Sequence, residues 1–469
     1  MIATARLAWR QLWRDRRLPV ALTLLLALAL VAIALDQVRA TEAERDRIAA
    51  DTLDRETFRT QGARNPHSVA HFSRFAFRPR LETMTLDQGV SDHAGTAVWM
   101  EAHRQNPPNA RAAEDHLDLG RSSELGLAWI WQVVAPLLLV GLGFDAIARE
   151  RERRTLPLVL VGGLSLPSFV AGKALSLLAV FAVALLGSVA MSSLVGGGYP
   201  VDDRVARTAI WIGGYLGYLV VWTAITLAAS VRARTSRGAL VTLLGIWALT
   251  VLAAPRIVAT LADDQVPIPS STELSAAIER DLKEGFDGHG PADQRTKDFE
   301  ARILAEYKVD AVAKLPVSFA GLKLEEGERV GNLVFDKHHA WLAERYAKQR
   351  SWRRGSSLFG PLAALQHLST AAAGTDVEQQ LEFARQAEHQ RRDIVARLNT
   401  DMIAHGTGKD FDYLADPILW TRIPAFQYSA PSLDRAGMRI DLALLAVWVV
   451  IASLLLGWTV RRAAKELVP

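Results

Sequence analysis

The densest run of charge in this sequence is Arg149-Glu150-Arg151-Glu152-Arg153-Arg154-Thr155-Leu156, set between two apolar runs. This charged helical turn opens a basic, interrupted segment that is too polar to enter lipid. Gly172-Lys173 has the form of a phosphate-loop ending. However, Pro167 stands where the first glycine belongs and Ala174 where Ser or Thr does, so no nucleotide is expected there. No His-Glu-x-x-His pattern or nucleophile elbow occurs, and the chain has no cysteine for thiolate ligands, thiol catalysis or disulfides. The eleven histidines are His67, His71, His93, His103, His116, His289, His338, His339, His367, His389 and His405, all within two polar blocks. His67 and His71 form an i, i+4 pair if their segment is helical. One reading of the histidines is contact with a metal or metal chelate; the other is that histidine avoids lipid and these blocks hold most of the polar sequence. No carboxylate or cysteine completes a ligand set, so no metal-ligating, cofactor-binding or catalytic residue is assigned. The candidate site is the eight-residue charged run itself.

The elements that must position this run are read from hydropathy. Half of the 469 residues are hydrophobic, yet mean hydropathy is only +0.11, which means apolar blocks diluted by large polar ones. The net charge of +4 and pI near 9.3 arise from Arg clusters beside apolar runs, which orient a membrane protein rather than bind nucleic acid. Apolar runs of about eighteen to twenty residues reach roughly 27–30 Å, the thickness of a bilayer's hydrocarbon core. The fold class expected is an all-α membrane protein with six transmembrane helices, an N-terminal interfacial helix and mostly helical extracytoplasmic domains.

In order, residues 1–17 form an amphipathic helix, with Ile2, Ala5, Trp9, Leu12 and Trp13 on one face and Arg6, Arg10, Arg14 and Arg17 on the other. Residues 18–35 are the first span, kept as an anchor rather than a cleaved signal. Residues 36–126 are a first extracytoplasmic insertion, whose Thr41–Arg59 stretch reads as a helix leaving the membrane. The second span is 127–144, and 145–173 is a cytoplasmic coupling segment broken at Gly162-Gly163. Spans three, four and five are 174–195, 209–231 and 239–255, with Gly213 and Gly217 a small-residue pair on the fourth. Residues 256–439 are a second extracytoplasmic domain, 442–460 the sixth span and 461–469 a cytoplasmic tail. Arg and Lys flank the span ends so that both termini and the coupling segment share the cytoplasmic side. The span centres carry few if any charges, which argues against ion-coupled transport and for energy supplied from outside the chain. Gln132, Thr223 and Thr226 are expected to make interhelical hydrogen bonds.

These residues carry a resemblance. The chain resembles the ABC-2-type (type V exporter-like) transporter permeases, whose loop between the second and third spans reads Arg-Glu, a few residues, then Gly-Thr-Leu, with Gly-Lys opening the third span. Here the matching residues are Arg149-Glu150, Arg154-Thr155-Leu156 and Gly172-Lys173, with Arg154 where glycine is usual. Phe359-Gly360-Pro361 and Ile423-Pro424-Ala425-Phe426 are similar to segments of a subfamily that carries a domain of unknown function. That subfamily is related to the nitrous-oxide-reductase maturation and gliding-motility permeases. The resemblance implies a non-catalytic subunit in the bacterial inner membrane, coupling hydrolysis by a separate ABC ATPase dimer to transport of an unidentified substrate, export rather than import. ATP and Mg would be held by the ATPase and no cofactor by this chain. A second copy or a paralogous permease would complete the membrane part, in contact with lipid. The alternative is an ATP-driven scaffold for force transmission or lipoprotein extraction, acting on a periplasmic or outer-membrane partner.

Overall fold

The computed structural model describes residues 2–72, 74–111, 125–286, 290–433 and 435–467. Six of its helices are long and apolar enough to cross a membrane: Arg17–Arg59, Leu127–Glu152, Leu166–Val195, Arg204–Arg232, Ser236–Gln265 and Gly437–Glu466. The expected apolar runs fall within these helices. The chain is a mostly helical, membrane-type protein. We number these helices as spans one to six and call the end carrying the charged run the basic face.

The span core is built on the fourth span, where Trp211, Tyr215, Tyr218 and Trp222 recur at helical steps and are all buried. The second and fifth spans each carry a π-helical stretch, Ile130–Val134 and Ala248–Ala253, just before a proline, Pro136 and Pro255. A proline has no N–H to donate and crowds the preceding turn, so the helix widens there. On the second span two carbonyls at the wide turn gain side-chain partners. Tyr218 Oη donates to the Gln132 carbonyl at 2.9 Å and Trp247 Nε1 to that of Val133 at 3.2 Å. Irregular backbone survives in a bundle only when its polar groups are satisfied in this way.

The N-terminal helix, Ile2–Arg14, lies along the third span. Its seated face carries buried Thr4 and Ala8 and half-buried Leu12, while Trp9 and Trp13 stack at 6.3 Å on an exposed face. The two sequence stripes are thus rotated relative to the protein: neither the full apolar stripe nor the Arg stripe is the one that packs.

Beyond the other end of the spans sits one outer body made from both polar blocks. The first span does not stop where its apolar run ends but continues as one helix to Arg59. A two-stranded antiparallel sheet follows, Arg74–Phe77 against Ala97–Met100, with Phe75 opposite Trp99. Phe58, Val69, Val98 and Met100 of the first block share a core with Phe383, Ile394, Leu398 and Trp420 of the second. The apolar faces of the two polar blocks are halves of a single core. The two long helices of the second block, Phe319–Gly355 and Val377–His405, are clamped by buried Arg391 between Glu328 and Glu388.

One piece of the second block leaves the outer body. Helix Leu362–Ala373 presents Leu362, Leu365 and Leu368 to the span core, against Gly214, where a Cβ would lie 2.6 Å from Leu368 Cδ2. The close approach on the fourth span is therefore at Gly214. Gly217 meets the sixth span at ordinary distance, and Gly213 has open space. The sixth span is tied to the outer body by Arg354, bidentate on Asp441 at 2.7 Å through each nitrogen.

Candidate functional site

The charged run folds as a short helix, Ala148–Glu152, a tight turn, and a second short helix, Leu156–Val161. The first helix starts where it does because the fourth span caps it: Ser230 Oγ accepts from the backbone N–H of Ile147 and Ala148 at 3.0 and 3.1 Å. The turn closes because Arg154 adopts φ +59°, with Thr155 N–H on the Glu150 carbonyl at 2.9 Å and the Thr155 hydroxyl on the Glu150 carboxylate. The left-handed region at this position is one that glycine adopts without strain. The turn stays tight with arginine there.

The eight residues differ in their surroundings. Arg149 donates to Asp15 at 3.0 Å and lies near Asp145, which also accepts from Arg17 at 2.8 Å, so this end is tied to the N-terminal helix. Arg151 turns the other way and donates to the carbonyls of Val231 and Ala233 at 2.6 and 2.9 Å, closing the C-terminal end of the fourth span. Glu152 accepts from Ser236 Oγ at 2.5 Å at the start of the fifth span. Leu156 is buried in the span core. Only Arg153 and Arg154 extend into solvent without a protein partner among the described residues.

Next to these two arginines lies an apolar ridge. On Leu156–Val161, Leu158 is 70% exposed and Val161 86% exposed. Gly163, at φ +85°, then turns the chain into the third span. Behind the ridge, Lys173 Nζ donates to Gln11 Oε1 at 3.2 Å, which gives this lysine a structural partner rather than a phosphate. The cleft between the N-terminal helix and Arg149, Glu150 and Lys173 has a volume of about 30 Å³. That is room for a water or two, not for a nucleotide. The site sets two exposed arginines beside two exposed apolar side chains, on a turn held by neighbouring elements.

Of the polar residues inside the spans, Gln132 donates to Tyr215 Oη at 2.8 Å and accepts from Gln366 at 3.3 Å, as an interhelical bridge should. The hydroxyls of Thr223 and Thr226 are buried without a hydrogen-bond partner among the described residues. Among the histidines, His67 and His71 do share one face of helix Pro66–His71, with Nε2 atoms 3.2 Å apart, and His103 joins them from a separate segment. Burial, then the two neighbouring imidazoles, lower the His67 pKa to about 4, so its ring is neutral at pH 7. His338 meets Asp281 at 2.9 Å, His367 lies 3.6 Å from Asp441 and His405 3.2 Å from Asp401. His116 and His289 lie outside the described residues.

A comparison with protein families matches residues 271–429 to a family model described as Domain of unknown function (DUF3526). The matched stretch lies in the second polar block and includes Glu328, Phe359-Gly360-Pro361 and Ile423-Pro424-Ala425-Phe426, but not the charged turn. A comparison with curated proteins finds no match. A domain of unknown function beside six apolar helices is compatible with a membrane permease.

Proposed function

We propose that this chain is the membrane-spanning permease subunit of an ABC-2-type transporter, driven by a separate ATPase dimer seated against the basic face. The observation that carries the reading is the exposed quartet Arg153, Arg154, Leu158 and Val161 on a turn fixed to the N-terminal helix and to spans two, four and five. A push on that quartet is passed to the spans without first bending a loop. Guanidinium groups beside apolar side chains fit a groove with acidic walls and an apolar floor. In this reading the basic face and both termini are cytoplasmic, in a bacterial inner membrane, and the outer body is extracytoplasmic. The fifth and sixth spans, the least buried of the six, offer faces to lipid and to a second copy or a similar permease. Substrate leaves the cytoplasm in the proposed direction of transport, and this chain performs no chemistry on it.

The test is ATP turnover by the reconstituted complex. Arg153→Glu with Arg154→Glu abolishes stimulation of the ATPase while the permease still inserts and melts as before. Unchanged stimulation in that variant removes the coupling role.

A second reading, force transmission to a periplasmic partner without solute transport, is favoured by one observation. The helix Arg17–Arg59 has 43 residues, about 65 Å at 1.5 Å per residue, and crosses from the basic face into the outer body without a break. Substrate flux in vesicles separates the two: ATP turnover without flux supports the scaffold.

A further inference from the structure

His67, His71 and His103 converge in the outer body, away from every residue used in coupling. Their convergence has local causes. The Asn65 side chain accepts from the N–H groups of His67 and Ser68, at 3.0 and 3.3 Å, and starts the helix that sets the two histidines one turn apart. Ala102 N–H donates to the Ala70 carbonyl at 2.9 Å, which brings the end of the second strand, and with it His103, against that helix. The three imidazoles each offer a nitrogen, and these nitrogens all lie within 4.8 Å of one another. Four-coordinate zinc with Zn–N bonds of about 2.0–2.1 Å holds its nitrogens about 3.3 Å apart, so the His67–His71 pair at 3.2 Å already has the required separation.

The surroundings are those of a supported ligand set. Glu328 Oε1 lies 2.8 Å from His103 Nδ1 and accepts the His103 backbone N–H at 2.6 Å. That contact orients the ring, as a carboxylate commonly does for a metal-bound histidine. It also holds His103 at φ +62°, a left-handed conformation costly for a residue with a side chain. Arg391 donates to the other Glu328 oxygen at 2.9 Å and fixes that carboxylate in place. The Phe411 ring, 5.5 Å from that of His67, walls one side.

We propose that His67, His71 and His103 form a binding site for a divalent late transition metal, zinc foremost, with Glu328 as the positioning carboxylate and the fourth coordination position open. Neutral imidazoles without thiolates or carboxylates in the ligand set select zinc, copper or nickel over magnesium or calcium. Three protein ligands with an open fourth position describe an exchangeable site more than a closed structural one. The ligands come from the first polar block and Glu328 from the second, so occupancy stiffens the junction between the blocks. The sequence showed only the i, i+4 pair; the third ligand and its support come from the fold. The site stands whether or not an ATPase docks on the opposite end.

The test uses the full chain, metal-depleted in detergent and purified through a tag without histidine. Titration with Zn²⁺ is expected to saturate at about one ion per chain, and Co²⁺ to give the strong visible bands of a four-coordinate ion. X-ray absorption on the zinc form is expected to show three imidazole ligands. His67→Ala with His71→Ala abolishes binding, whereas Glu328→Gln weakens it roughly 10–100-fold. His389→Ala with His405→Ala, outside the cluster, leaves it unchanged. Failure of the unsubstituted chain to bind zinc stoichiometrically, fewer than three imidazoles around the ion, or equal affinity in the double His67/His71 variant overturns the proposal. The measurements on the unsubstituted chain decide the matter even if a variant does not fold.

Discussion

At the scale of single residues, neighbours that look equivalent in sequence do different jobs. Arg154 occupies a left-handed conformation at φ +59° that glycine adopts freely. Arg154→Gly is therefore expected to raise stability by about 1 kcal/mol, while Arg154→Ala keeps the strain; thermal melts of the two variants check this. Asp87 is a second case. Burial raises its carboxyl to about 6, against the lowering effect of hydrogen bonds from Ser369 Oγ at 2.5 Å and Gly89 N–H at 3.0 Å. The folded state thus holds this proton more tightly than the unfolded chain does. Its contribution is fully present below the ordinary carboxyl value near 3.8 and is lost as pH rises through about 6. Melting temperature should fall across that window, and Asp87→Asn should flatten that part of the profile. Neither feature was legible in the sequence: the left-handed turn and the burial of Asp87 behind Ser369 are consequences of packing. The i, i+4 pair His67 and His71 was legible, because helical spacing alone places them together. His103 follows after an intervening hairpin and has no periodic relation to either.

At the scale of elements, the basic turn separates holding from presenting. Arg151 satisfies two carbonyls at the end of the fourth span, whereas Arg153 faces solvent. Arg151→Ala is expected to cost about 1.5–3 kcal/mol, since it leaves helix-end acceptors without their charged donor. Arg153→Ala should leave the melt unchanged. If stability responds equally to both, the division of roles is wrong. The spans themselves were readable, because apolar runs of membrane length have few alternative uses, and the break at Gly162-Gly163 marked the end of the second short helix. The separate duty of Arg151 was hidden, since its acceptors lie in a span some eighty positions further along the chain. Helix Leu362–Ala373 was hidden as well. Its twelve residues are too few to cross a bilayer, so length and hydropathy do not mark it as part of the span core.

At the scale of the whole molecule, the shared outer core makes the two polar blocks one cooperative unit. Phe383 is fully buried among residues of both, and Phe383→Ala should cost about 3–5 kcal/mol. Amide exchange should then rise together in segments 58–102 and 383–428. Rise in the second segment alone would mean two independent domains. Composition separates polar from apolar stretches but carries no information on which polar stretches complete each other's cores. The same body is joined to the spans by the unbroken first helix and by the Arg354–Asp441 pair, so movement at one end of the molecule has a stiff route to the other. The claim on which this account depends is that the exposed ridge on the basic face is where an ATP-hydrolysing subunit presses. The chain contains no cysteine, so a single Leu158→Cys substitution can be labelled without background. With the purified ATPase present, the account predicts that this thiol cross-links to it, is shielded from a water-soluble maleimide, and loses both properties when Arg153 and Arg154 are reversed to Glu. Labelling of Leu158→Cys at the same rate with and without the ATPase, and no cross-link to it, would contradict the account.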